Sequence, residues 1–257
     1  MNLTSLRAIA LISVICLTLY VLLVQYGFLY DGRHMITIIE ISKWLGNISL
    51  YLIPMIAVED IIHNENNKTR RPWIFTLGLL ALTIITQIPY SMLFGYITLF
   101  SNFNMFMLLF ISYISIQLYN RLNIQKTYMR AIIVILGLLI LYVIGELIGI
   151  YNYQIYSPVF IVLLYLARKH NKKLALPIIL IGIISRNYQQ LYSRTISELG
   201  EVTTRVNLEG AIGVAILLIS TIGVFLYLNK EATYSEKQTY VYYAMIPMIY
   251  LIIGLLI

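Results

Sequence analysis

Charge is scarce in this sequence. Only 11% of its 257 residues are Asp, Glu, Lys or Arg, against 60% hydrophobic, whereas a soluble domain carries about 25% charged residues. A soluble fold has no surface on which to place such an apolar excess, so that class is excluded. Cysteine is scarcer still: Cys16 stands alone, which rules out an intrachain disulfide and a cysteine-based metal site. The three histidines, His34, His63 and His170, are too scattered for a metal-ligand motif. Internal repeats, low-complexity tracts and a phosphate-cradling glycine loop are also missing.

What the chain does have is long apolar runs. Crossing a bilayer core of ~30 Å takes about 20 mostly apolar residues in a helix. Runs of this kind fall near 6–28, 43–62, 73–94, 99–119, 128–149, 152–167, 174–192, 209–229 and 239–257. The first is apolar for too long, and lacks the small-residue cleavage site, to suit a signal peptide. Because the runs are continuous rather than alternating, a transmembrane barrel is excluded. The expected fold is an all-α polytopic bundle of about nine spans, forming a single transmembrane domain over residues 1–257.

Net charge is +7, which in a soluble protein would raise nucleic-acid binding. Here the basic residues sort by side instead. With the amino terminus in the cytoplasm, 13 of the 18 Lys and Arg fall inside, in segments such as Lys68–Arg71, Arg121–Arg130 and Arg168–Lys173. Only Arg33, Lys43, Arg186, Arg194 and Arg205 fall outside. That asymmetry follows the positive-inside rule, predicts a cytoplasmic amino terminus in a cell membrane, and leaves no need for a nucleic-acid partner. Residues 95–98 and 150–153 are expected to be tight external hairpins. The longer segment 189–208 mixes Tyr192, Ile196 and Leu199 with Arg194, Glu198, Glu201 and Arg205, a pattern suiting either an amphipathic helix at the outer interface or a polar loop.

An ionisable group within a span costs at least ~2.5 kcal/mol, so each calls for a partner, a wet cavity or a task. An outer set comprises Lys43, Asn47, Gln87, Glu146, Arg186 and Asn187. Glu146 and Arg186 have similar expected depth, and would either pair structurally or line a cavity for a substrate. An inner set comprises Glu59, Asp60 and His63, followed by Arg70 and Arg71. Glu59 and His63 are four residues apart, hence on one helix face, where a carboxylate can orient an imidazole as a general base. Glu59 and Asp60 equally suit the role of solvated end residues. Most of the 22 tyrosines are expected in interfacial belts.

Several of these elements resemble the TraX family of conjugal-transfer membrane proteins. They are Gly46-Asn47-Ile48-Ser49 running to Glu59, then His63, Arg70-Arg71 and Ile85-Thr86-Gln87-Ile88-Pro89-Tyr90. Near the end, Leu226-Tyr227-Leu228-Asn229-Lys230 looks like the family's Leu-Tyr-Asn-Gly-Lys/Arg turn, and Tyr242-Tyr243-Ala244-Met245-Ile246-Pro247 like its last helix. The resemblance implies a multi-span acyltransferase using acetyl-CoA to modify a peptide such as a pilin, a lipid or a glycan. In that frame Glu59 and His63 would transfer protons, and Arg70 and Arg71 would hold the donor's phosphates. Asn47 and Gln87 would orient the acceptor or an oxyanion, with Asn229 and Lys230 further binding candidates. The chain departs from the pattern at Asn47, Tyr51 and Asp60, which stand for the family's Arg, Pro and Gly. Val14-Ile15-Cys16-Leu17 replaces an expected Asp-His pair, and Ile249 an expected histidine. An alkyl side chain takes no proton, so a non-enzymatic relative is the alternative: a subunit of a membrane complex, an immunity protein, or a binder of lipid or peptide.

Overall fold

The computed structural model describes residues 3–25, 33–66, 72–93, 104–147, 156–187, 192–196, 202–206, 208–228 and 236–255. Among them are nine α-helices, each on one of the expected apolar runs: α1 Leu3–Gln25, α2 Arg33–Asn66, α3 Pro72–Leu93, α4 Met105–Arg121, α5 Thr127–Leu147, α6 Tyr156–His170, α7 Ala175–Asn187, α8 Leu208–Leu228 and α9 Glu236–Leu255. Four of the helices, α1, α2, α3 and α5, hold stretches long and apolar enough to cross a membrane. The short connections at 95–98 and 150–153 lie outside the described residues.

Segment 189–208 departs from both sequence expectations. It carries an antiparallel hairpin, β1 Tyr192–Ile196 with β2 Val202–Val206, in register from Tyr192 opposite Val206 to Ile196 opposite Val202. The two strands hold Ile196, Val202, Val206, Thr195, Thr203 and Thr204. Their branched side chains lose rotamer freedom in a helix and suit a pleated ribbon, which outweighs the amphipathic pattern.

Helix α2 is the axis of the bundle. In its apolar stretch 72% of residues are buried, against 11% in α5, so α2 is enclosed by other helices and α5 lies at the periphery. Around α2 the packing runs from α1 to α9, then through α3, α4, α6 and α7 to α8, while α5 leans on α4 and α6. At 34 residues α2 is about 50 Å long, well beyond a bilayer core, and its last turns extend the polar end of the bundle. Close approach of α1 to α2 depends on Gly46, where an added Cβ would lie 2.5 Å from the Leu17 Cα. Small residues serve in this way where helices pack backbone to backbone.

Burial is inverted relative to a soluble domain. Ile84, Ile85 and Ile88 on α3, Leu136 and Ile140 on α5, and Met248 and Ile252 on α9 all point outward. Arg7, Asp60, Asn104, Asn187 and Thr221 are buried. Apolar side chains on the outside, with the polar groups gathered within a mostly apolar core, are what a hydrocarbon solvent favours, because polar groups then find partners only inside the bundle.

Candidate functional site

Polar side chains gather where the carboxyl ends of α2, α4 and α6 meet. Glu59 is the innermost of them. Arg168 of α6 donates from Nε to Glu59 Oε1 at 2.6 Å, and its Nη2 lies 2.5 Å from the same oxygen. This fixes the Glu59 carboxylate to α6, with the half-buried His63 one turn further along the same face of α2. The sequence pairing of Glu59 with His63 is therefore supplemented by a cation from another helix.

Beyond His63 a second network closes the same end. Tyr165 Oη lies 2.9 and 2.8 Å from the two Glu65 carboxylate oxygens, Asn120 Nδ2 donates to Glu65 Oε1 at 2.7 Å, and Lys169 Nζ donates to Tyr165 Oη at 2.5 Å and to Glu65 Oε2 at 3.1 Å. One phenol has a single proton to give; Glu65 takes it, and Lys169 supplies the hydrogen bond that the phenol oxygen accepts. Nearby, Tyr119 Oη and His170 Nε2 are 2.8 Å apart. None of Glu65, Asn120, Tyr165 and Lys169 stood out in the sequence. Tyr165 and Lys169, at i and i+4 on the helix whose last turn is basic, were the available sign.

A third group is deeper. Arg7 Nη2 on α1 donates to Asp60 Oδ1 at 2.7 Å and to Thr239 Oγ1 at 2.6 Å, while Tyr243 Oη on α9 donates to Asp60 Oδ2 at 2.9 Å. The Arg7 guanidinium also stands 5.9 Å from the Tyr242 ring centre. Asp60 is 0% exposed and Arg7 3%, which corrects the reading of Asp60 as a solvated end residue. The carboxylate is tolerated there because a cation and a hydroxyl satisfy both of its oxygens. Tyrosines also depart from a purely interfacial role: Tyr51, Tyr90, Tyr113, Tyr119, Tyr165, Tyr242, Tyr243 and Tyr250 are all core residues.

The outer polar set divides between separate sites. Gln87 Oε1 accepts from Asn104 Nδ2 at 2.9 Å; the same amide donates to the Thr83 carbonyl at 2.8 Å, and Asn104 Oδ1 accepts from the Met107 N–H at 3.1 Å. Gln87 thus braces the residue that caps α4. Asn47 is half-buried on α2, and no hydrogen bond among the described residues joins it to Gln87. Asn187 Nδ2 donates to Tyr51 Oη at 2.8 Å, tying α7 to α2. Lys43 is 3.7 Å from Glu40 on its own helix. Arg70, Arg71, Asn229 and Lys230 lie outside the described residues, as do the side chains of Glu146 and Arg186; α6 packs against both helices that carry the last two.

Chemically, the α2–α6 end offers a carboxylate in a fixed orientation, an imidazole one turn away, and excess positive charge from Lys172 and Lys173. No family model, no curated protein and no solved structure matches this chain.

Proposed function

We propose that the chain is a TraX-like, nine-span protein of the cell membrane with a cytoplasmic amino terminus, transferring an acyl group from acetyl-CoA to a peptide, lipid or glycan. The threading is supported by which ends touch. If successive helices cross in alternate directions, the ends of α2, α4 and α6 share a side with the starts of α1 and α9. The Glu65–Asn120–Lys169 and Arg7–Asp60–Thr239 contacts join those ends.

The observation that carries the catalytic reading is the convergence of Glu59, His63 and Arg168 at the end richest in basic residues. Lys172 and Lys173 there suit the donor's anionic phosphates, with Arg70 and Arg71 as further candidates. Bound acetyl-CoA would supply an activated thioester carbonyl. His63 would accept the proton of the acceptor amine or hydroxyl as it bonds to the acyl carbon and give that proton to the CoA sulfur as the C–S bond breaks, and the Glu59 carboxylate on the same face would favour the intervening imidazolium. Arg168 holds that carboxylate in place.

A second reading is favoured by a specific observation. Val14 is wholly enclosed in the core and Ile249 packs against it, at positions where the family resemblance calls for proton-transfer residues. In that reading the bundle is a non-catalytic membrane subunit, immunity protein or binder, and its internal ion pairs serve only to hold it together.

Incubating purified protein with radiolabelled acetyl-CoA and membrane extract distinguishes the two. Label transfer that disappears in His63→Ala supports the enzyme. Absence of transfer above that variant, together with absence of acetyl-CoA binding, overturns it, and co-purification of a membrane partner with both proteins then supports the second reading.

A further inference from the structure

The turn between α4 and α5 carries cations that the networks described above leave unused. Arg168 and Lys169 are matched by Glu59 and Glu65. Arg121, Lys126 and Arg130 have no carboxylate partner among the described residues. Arg130 is the best placed: its guanidinium is 5.5 Å from the centre of the Tyr119 ring, and Tyr119 is itself anchored by His170. Its Nε is buried without an acceptor among the described residues. Lys126 stands 5.9 Å from the Tyr128 ring, a second cation steadied by an aromatic face at the same level.

Immediately along α5 from these cations lies an apolar surface. Met129, Ile132, Ile133, Leu136 and Ile140 are exposed there, on the least buried of the four long apolar helices. The combination is directional: positive charge and an exposed Tyr128 at the helix start, then hydrocarbon for several turns. A soluble anion would use only the first part. A glycerophospholipid uses both, with its phosphate at the cations and its acyl chains along α5.

We propose that Arg130, Lys126 and Arg121 form a binding site for one anionic phospholipid, held against α5 with its phosphate at Arg130. The site is separate from the acyl-transfer reading, since it uses neither Glu59, His63 nor Lys172. Each basic residue near a charged bilayer surface contributes about 1 kcal/mol to anionic-lipid binding. Removing two therefore weakens retention by about thirtyfold.

The test uses the full chain in detergent, with native mass spectrometry to count bound lipid. Phosphatidylglycerol is expected to be retained preferentially over phosphatidylcholine. That preference is expected to fall about thirtyfold in Arg130→Gln/Lys126→Gln, to persist in Arg130→Lys, and to be unchanged in the distant Lys43→Gln. Circular dichroism and gel filtration on each variant separate loss of binding from loss of fold; if the glutamine double variant fails to fold, Lys126→Gln alone is expected to give about a fivefold loss. Equal retention of the two lipids by the wild type overturns the proposal. So does displacement of phosphatidylglycerol by millimolar pyrophosphate, which would identify the site as one for soluble phosphate.

Discussion

Replacing Asp60 by alanine leaves the Arg7 guanidinium buried at 3% exposure with its carboxylate partner gone, while its hydrogen bond to Thr239 remains. Breaking a buried ion pair from one side costs about 3 to 5 kcal/mol, because the surviving charge keeps its desolvation penalty and loses its compensation. The Tyr243 hydroxyl loses its acceptor in the same step, which places Asp60→Ala toward the upper end of that range. Removing both charges behaves differently: Arg7→Met/Asp60→Leu leaves no ion behind, so its cost is expected to be only the about 1 to 3 kcal/mol of leaving the Tyr243 hydroxyl without its acceptor. The single changes and the double change then form a cycle with a coupling of several kcal/mol. Reversible unfolding in mixed micelles, titrated with dodecyl sulfate, reads each stability. A cost below about 1 kcal/mol for Asp60→Ala, or a double variant as unstable as the sum of the singles, would refute the argument that each charge compensates the other's burial.

Glycine substitutions should separate by location. Gly46→Ala drives a Cβ into the Leu17 backbone and Gly213→Ala drives one into the Trp44 indole, so each should lose about 1 to 3 kcal/mol by the same unfolding assay. At Gly78 and Gly137 an added Cβ meets nothing within 4 Å, and alanine there should be neutral or stabilising by up to ~1 kcal/mol. Asn104→Ala removes the α4 cap together with its contacts to Gln87 and Thr83; a loss of about 1 to 2 kcal/mol is expected, with faster hydrogen exchange over the first turn of α4. For the threading, a single cysteine placed at Lys172 in a Cys16→Ser background should react with an impermeant maleimide only after the membrane is opened, and labelling in sealed cells would reverse the orientation.

Helix existence was legible from the apolar runs because hydrocarbon length is a one-dimensional requirement of about 20 apolar residues, which four of the helices meet among the described residues. The expected side of the membrane also comes from a one-dimensional sum, of Lys and Arg over whole connections, and the maleimide labelling tests it. Glu59 was legible as a polar residue in an apolar helix, but its partner, Arg168, is 109 positions away. Asp60 shows the limit most clearly. Its sequence neighbours suit a solvated helix end, yet α1 and α9 close over it and supply Arg7, Thr239 and Tyr243. Which polar side chain faces a neighbouring helix rather than water depends on helix rotation and packing order. Those are set by contacts such as Gly46 against Leu17, between residues far apart in the chain, so only the tertiary structure decided them.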